Sequence, residues 1–423
     1  MKTTILNTFF IILIATFFTA CTSKNIEKIE ISNINIKEKL PNDDFMNQNK
    51  EANKLLQKHF SPWSQEEVSY SQLEAMWGLN YKFRDIYLEN YKKASLGWFL
   101  KQETNANFEK YNTLKKKAIT LKNTNVRVLP TNQPMFFKPT KPGEGFPFDY
   151  NQNSLLKINS PIIVSHLSKD KAWAYAQASS FGGWINISDI AFVNEKFINK
   201  FKTNDYFIAI KEKFPLYENG FREYVKVGTI FPKKDDTYLV AQKVQNQEAN
   251  ISYINIKDEE VSAFPIKYNA ENRIKIAKQL LNEPYGWGGL LNNRDCSSFT
   301  KDFFAPFGKY LERNSKGQAK NGFYKDMSKL SNEQKKLFLM KYGVPFSTLV
   351  YLKGHIMLYV GIKDNEPLVM HNVWSVKLKD SNGDEYRHII GKATITPLDM
   401  GRELKDFDED KSILKKIQGL VIL

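Results

Sequence analysis

The chain has 423 residues, 42% of them hydrophobic, and its 61 Lys+Arg against 46 Asp+Glu give a formal charge of +15. That apolar fraction is enough to bury real cores, so wholesale disorder is excluded, and the length predicts several domains. Two cysteines and five histidines exclude a disulfide-dense scaffold and a Cys-rich zinc module, so any thiol or imidazole chemistry comes from a handful of positions.

The chain opens with Lys2 and carries no further charge until Lys24. Between them lie Phe9-Phe10-Ile11-Ile12-Leu13-Ile14-Ala15 and then Phe17-Phe18-Thr19-Ala20-Cys21. A positive start, a short apolar run and small residues at its end predict a secretory signal peptide over 1–20. An uncleaved membrane anchor is the alternative, since the uncharged run is just long enough to span a bilayer. The segment Phe18-Thr19-Ala20-Cys21 resembles a bacterial lipobox, with Phe18 where Leu is usual. The resemblance implies cleavage before Cys21 and a diacylglycerol on its sulfur. Thr22 rather than Asp then implies the outer membrane, facing the periplasm. Residues 21–45 read as a polar, flexible tether. Roughly 23 residues at about 3.3 Å each reach some 75 Å when fully extended, and a coil reaches less.

Residues 46–119 read as a helical segment. Leu73, Met76 and Trp77 stand at helical spacing, Tyr81, Ile86, Tyr87 and Tyr91 continue the apolar positions, and Glu109 to Lys117 reads as a further polar helix. The texture then changes to short strands punctuated by Gly, Pro and Asp: Val126–Pro130, Ile162–His166, Trp173–Ala176 and Gly183–Ile187. Tyr206–Ile210, Tyr224–Gly228 and Thr237–Ala241 repeat that texture. This predicts two small β-barrels, over 120–196 and 197–263. Their strand order resembles that of bacterial SH3-like domains. Trp173 and Trp184 fit a barrel core as well as a binding surface.

From 264 the pattern is mixed α and β. Ile274, Ala277 and Leu281 share one face of a helix that begins near Asn269. Cys296 follows Tyr285-Gly286-Trp287-Gly288-Gly289 and sits in Asp295-Cys296-Ser297-Ser298. Phe299, Phe303, Phe304 and Phe307 then form an apolar face, so Cys296 opens a helix with Asp295 as its N-cap. The N–H groups of a helix start lower a thiol pKa, which predicts a reactive thiolate. His355 begins the strand Gly354-His355-Ile356-Met357-Leu358-Tyr359-Val360. His371 falls on the next strand of a hairpin turned at Asp364-Asn365, near enough for the imidazoles to touch. A nucleophile, a base and an orienting group are then present in one domain. No acidic residue completes a zinc-type spacing around the histidines, so no metal or other cofactor is expected. His59, His166 and His388 lack such a context.

These motifs, in this order, resemble the NlpC-type family of peptidoglycan cysteine peptidases, which has a papain-like core. The resemblance covers 264–423, and the upstream part fits a subfamily with a helical segment and two SH3-like domains. It implies an α+β multidomain protein that hydrolyses the γ-D-glutamyl–diamino acid bond of murein stem peptides, with meso-diaminopimelate the expected diamino acid. Cys296 is then the nucleophile, His355 the base and His371 the third residue, with Asn372 beside it as the softer choice. Tyr285 is an oxyanion donor, and Asp295, Ser297 and Ser315 bind substrate. Asp295 would pair with a free N-terminal L-Ala amine.

The expected partners are stem peptides and, through the lipid, a membrane. Nucleic acid is not expected, because the basic residues are dispersed among acids and form no recognition motif. An anionic envelope suits the charge better. A catalytically silent envelope-binding lipoprotein, or a thiol acyltransferase or amidase on the same fold, are the alternatives.

Overall fold

The computed structural model describes residues 28–31 and 48–423. The expected signal peptide, Cys21 and all of the tether except 28–31 lie outside the described residues.

The first helix, Gln48–Phe60, straddles two parts of the molecule. The Gln48 side chain donates to the carbonyls of Ile266 (2.6 Å) and Phe307 (3.0 Å), and Trp63 Nε1 donates to Ala118 O at 2.8 Å. The helix Leu96–Ala106 starts where the Ser95 hydroxyl accepts the Trp98 N–H and stops where Asn107 turns left-handed at φ 52°. Between them the helical expectation is corrected. The apolar positions from Leu73 to Tyr81 fold only into the short helix Gln72–Ala75 and the 3-10 segment Trp77–Phe83. Leu73 is 82% exposed, and Tyr87 makes β-bridges to Lys93 and Phe136. The polar helix expected over 109–117 is also absent. Asn112 and Lys115 take left-handed backbone (φ 53° and 48°), which breaks a helix, and the strand Lys116–Thr120 begins there.

Two sheet systems follow. The first is antiparallel, with strands in the order Gln152–Leu156, Thr124–Arg127, Gly182–Asn186, Trp173–Gln177, Pro161–Leu167, Lys116–Thr120 and Ile190–Phe192. Trp173 and Trp184 are buried in the core between this sheet and the helical segment, which settles them as packing residues. The second comprises Ala249–Ile254, Thr237–Lys243, Ile230–Lys234, Tyr206–Ala209 and Val261–Ala263, with a hairpin of Phe214–Tyr217 and Phe221–Val225.

The last part is a six-stranded antiparallel sheet ordered Phe323–Asp326, Gly419–Ile422, Thr348–Leu352, His355–Lys363, Glu366–Lys379 and Glu385–Pro397. Asp364 and Asn365, both at positive φ, make the tight hairpin between the two histidine strands. The helices Ala270–Leu280 and Cys296–Phe304 pack on this sheet. Phe299, Phe303, Phe304 and Phe307 are fully buried in one cluster with Ile356, Leu358 and Val360 of the His355 strand. Replacing one such Phe by Ala costs about 3–5 kcal/mol, so this face holds the Cys296 helix firmly against the strand.

A buried ion network locks the sheets together. Arg294 grips Glu212 with both terminal nitrogens (2.7 and 2.8 Å) and Asp302 with Nε (2.7 Å). Lys157 of the first sheet region reaches Asp302 at 2.6 Å, and Lys226 of the second contacts Glu212 at 3.4 Å.

Candidate active site

Cys296 is the first residue of its helix and is 8% exposed. A reciprocal cap fixes that start: the Asp295 carboxylate accepts the Ser298 N–H at 2.8 Å, and the Ser298 hydroxyl accepts the Asp295 N–H at 2.9 Å. The thiol sulfur takes hydrogen bonds from the backbone N–H groups of Ser297 and of Ile356, the residue after His355. The thiol therefore lies at the start of the histidine strand.

His355 Nε2 is 2.8 Å from His371 Nδ1, and His371 Nε2 is 3.1 Å from the Thr396 hydroxyl. His371 and Thr396 are fully buried. If His355 is to accept a proton from the thiol, its Nδ1 must carry the lone pair. Its Nε2–H then donates to His371 Nδ1, and His371 Nε2–H donates to Thr396, one consistent tautomer along the row. Asn372, the softer choice for third residue, points elsewhere: its amide donates to the carbonyls of Arg294 (2.9 Å) and Pro284 (3.3 Å).

The charge state of the site corrects the sequence expectation of a depressed thiol pKa. Burial, and then the adjacent Asp295 carboxylate, push the Cys296 thiol up to about 12, outweighing the two N–H donors. Burial pulls His355 down to about 4, opposed by Asp295, and burial and then His355 pull His371 well down. Both shifts favour a neutral thiol and a neutral imidazole. Burial, then Cys296 and Asp295, raise Tyr285, so its hydroxyl stays a proton donor.

Asp295 is more heavily engaged than the sequence indicates. Arg313 clamps it at both oxygens (3.1 and 2.8 Å), and Ser297 Oγ, Ser298 and the Gly288 N–H also donate to it. Burial opposes the ionised form, but Arg313 more than offsets it and Asp295 is held below the usual carboxylate value. Arg313 also donates to Ser297 Oγ (3.0 Å) and, from the first sheet, to Ser154 Oγ (2.7 Å). Ser315 is half-buried at the start of the short helix Ser315–Gln318 and takes no part in these bonds. Arg313, Ser154 and Thr396 are the residues that sequence reasoning misses. Only Arg313 carries a signal, its place two positions before Ser315.

The first sheet also walls the site. Phe148 and Tyr150 pack on Trp287 (ring centroids 5.4 and 5.7 Å), and Gln152 donates to Gly288 O at 3.1 Å. This contact explains the Trp-Gly-Gly turn. Both glycines have positive φ, and a Cβ on Gly288 or Gly289 would meet Gln152 O at 2.5 Å or Leu155 Cβ at 2.4 Å. Of the other histidines, His166 lies among core aromatics, bonded to Ser165 Oγ and Ala106 O, and His59 lines a cavity where the helical segment meets both sheets. Among the described residues no group of His, Cys, Asp and Glu is arranged to hold a metal ion.

Comparison with known proteins places two regions. Residues 134–186 match the SH3 domain (SH3b1 type), and residues 282–387, which enclose Cys296, His355 and His371, match the NlpC/P60 family. The whole chain resembles an NlpC/P60 endopeptidase from Photobacterium damselae subsp. piscicida, with a TM-score of 0.81 at 25% identity over 95% of this chain and 97% of that one. An NlpC/P60 family protein from Bacillus cereus ATCC 10987 is more distant, with a TM-score of 0.46 at 15% identity over 72% of this chain and 98% of that one. No curated protein matches the sequence.

Proposed function

We propose that this chain, a peptidoglycan hydrolase with an NlpC/P60 catalytic domain and an SH3b domain, cuts the γ-D-glutamyl–diamino acid bond of murein stem peptides. The observation that carries this reading is the row His355, His371, Thr396, with the Cys296 thiol held at the start of the His355 strand beside the ionised Asp295. In it, His355 Nδ1 takes the thiol proton as the sulfur attacks the γ-glutamyl carbonyl carbon. The oxyanion receives the Tyr285 hydroxyl and the Cys296 backbone N–H. The His355 imidazolium gives its proton to the leaving amine of the diamino acid, and a thioester remains. Water, deprotonated by His355, then hydrolyses the thioester and frees the thiol. His371 and Thr396 hold His355 in the tautomer that both steps need.

Asp295, Ser297 and Ser315 bind the acyl part of the substrate. The preference for a free N-terminal L-Ala rests on Asp295, where the substrate ammonium replaces one of the Arg313 contacts as it enters. In this reading 46–119, 120–196 and 197–263 form the helical segment and two barrels that brace and wall the catalytic domain, 264–423. Cys21 carries the lipid that anchors the chain to the outer membrane. Replacing Cys21 by Ala should release the protein from the membrane fraction, and retention would remove the lipoprotein part alone.

The reaction itself is tested with L-Ala-γ-D-Glu-meso-diaminopimelate and its N-acetylated form. Release of L-Ala-γ-D-Glu from the free-amine peptide, at a kcat/KM at least about tenfold above the acetylated one, is expected. Equal cleavage of both would remove the amine preference.

A further inference from the structure

His355 lines a second pocket, of about 360 Å³, that the reaction above does not account for. Four cationic side chains, Lys377, Arg387, Lys411 and Lys416, border it, with the hydroxyl residues Ser375 and Ser412. Only Lys377 has a carboxylate partner, Glu385. Among the described residues no carboxylate lies within ion-pair distance of Arg387, Lys411 or Lys416, and Arg387 Nε is buried without a hydrogen-bond partner. Glu385 also acts from a distance on Arg387 and Lys411, and after it the acids felt are Glu144 by Arg387 and Asp408 by Lys416. The cations crowd one another: burial, then Lys377, Lys411 and Arg387, hold the Lys416 ammonium below its ordinary value. Unpaired cations around one concavity repel each other, and an anionic ligand relieves that repulsion.

The reaction fixes what enters. A general acid must lie within hydrogen-bond reach of the amine it protonates, so the leaving residue packs against His355, in the pocket that His355 lines. We propose that this pocket binds the leaving diamino acid through its carboxylates, and that Arg387, Lys411 and Lys416 select a diamino dicarboxylic acid over a diamino monocarboxylic one. This rests on the peptidase reading above. Val376 and Ile413 in the same pocket cover the methylene chain. Meso-diaminopimelate keeps a side-chain carboxylate even when its main-chain carboxyl is bonded to a further residue, whereas L-lysine has none. Making or breaking one charge-assisted hydrogen bond to that carboxylate changes kcat/KM by about tenfold or more.

The test compares L-Ala-γ-D-Glu-meso-diaminopimelate with L-Ala-γ-D-Glu-L-Lys. The wild type should favour the first by at least about tenfold in kcat/KM, chiefly through KM. In Arg387→Gln and in the Lys411→Gln/Lys416→Gln double variant, which alters two exposed side chains, the ratio should fall towards one. Lys405→Gln, the same charge change outside the pocket, should keep the wild-type ratio. A wild-type ratio near one, or a ratio unchanged in both pocket variants, overturns the proposal. A second readout does not depend on turnover: calorimetric titration of Cys296→Ala with free meso-diaminopimelate and with L-lysine. Tighter binding of meso-diaminopimelate, lost in the Lys411→Gln/Lys416→Gln background, supports the pocket even if neither peptide is cleaved, in which case the peptidase reading fails alone. Equal or absent binding of both amino acids overturns the pocket even if the peptides are cleaved.

Discussion

Glu212→Gln is the sharpest test of how the second sheet region supports the site. Glu212 and Arg294 are almost wholly buried, with side chains 4% and 1% exposed, and share two short charge-assisted bonds. Arg294 stands two residues before Cys296, and its carbonyl accepts from Gly286 N–H and from Asn372. Loosening it therefore disturbs both the Trp-Gly-Gly turn and the strand that carries His371. Two routes give the magnitude. Burial opposes ionised Glu212, but Arg294 and then Lys226 hold its carboxyl at about 2 instead of 4.5. At about 1.4 kcal/mol per pKa unit this shift is worth roughly 3 kcal/mol. Removing one partner of a buried pair costs about 3–5 kcal/mol, and Asp302 remains to Arg294, which argues for the lower end. At roughly 2–4 °C per kcal/mol for a unit of this size, Tm should fall by about 6–12 °C in calorimetry at pH 7. The sign with pH is also set. Between about pH 4.5 and 2 the unfolded chain binds the Glu212 proton and the folded one does not, so this stabilisation is present above 4.5 and lost as pH falls towards 2. A Tm within about 1 °C of wild type for Glu212→Gln would refute the reasoning.

Three further outcomes follow from the site. His355, which burial pulls down to about 4, binds a proton more readily in the unfolded chain, as does His59, pulled to about 3 by burial and by Lys301 and Lys157. Stability should therefore fall as pH drops from 6.5 towards 4, by roughly 3 kcal/mol for His355 alone, and a denaturation midpoint flat over that range would contradict it. With the thiol raised to about 12 at rest, inactivation of the free enzyme by iodoacetamide should climb about tenfold per pH unit between 7 and 9. A plateau already reached at pH 5 would mean a preformed ion pair. Thr396→Val should lower kcat by about 10-fold with little change in KM and distort the acid limb of the pH–rate profile, because it frees the His371–His355 tautomer. An unchanged profile would make Thr396 a packing residue only.

Legibility in the sequence follows the range of the cause. The Cys296 helix is readable because its cap and its Phe face are local patterns, and the histidine hairpin because Asp364-Asn365 is a local turn signal. The Arg313 clamp is not readable. It joins Asp295, Ser297 and Ser154, which only tertiary folding brings together. The thiol pKa fails for the same reason: the helix start is local, whereas the burial that outweighs it comes from packing. The strand Lys116–Thr120 is hidden because Lys115, Lys116 and Lys117 read as a solvated helix face, and left-handed Asn112 and Lys115 are not visible as breakers in that run. Thr396 lies on the far neighbour of the His371 strand, beyond any spacing rule.

The most direct measurement is product analysis on L-Ala-γ-D-Glu-meso-diaminopimelate with wild type and Cys296→Ala at equal concentration, scored by mass spectrometry. The account predicts L-Ala-γ-D-Glu and free meso-diaminopimelate from the wild type and neither from Cys296→Ala. An intact peptide after wild-type incubation, or undiminished cleavage by Cys296→Ala, would contradict it.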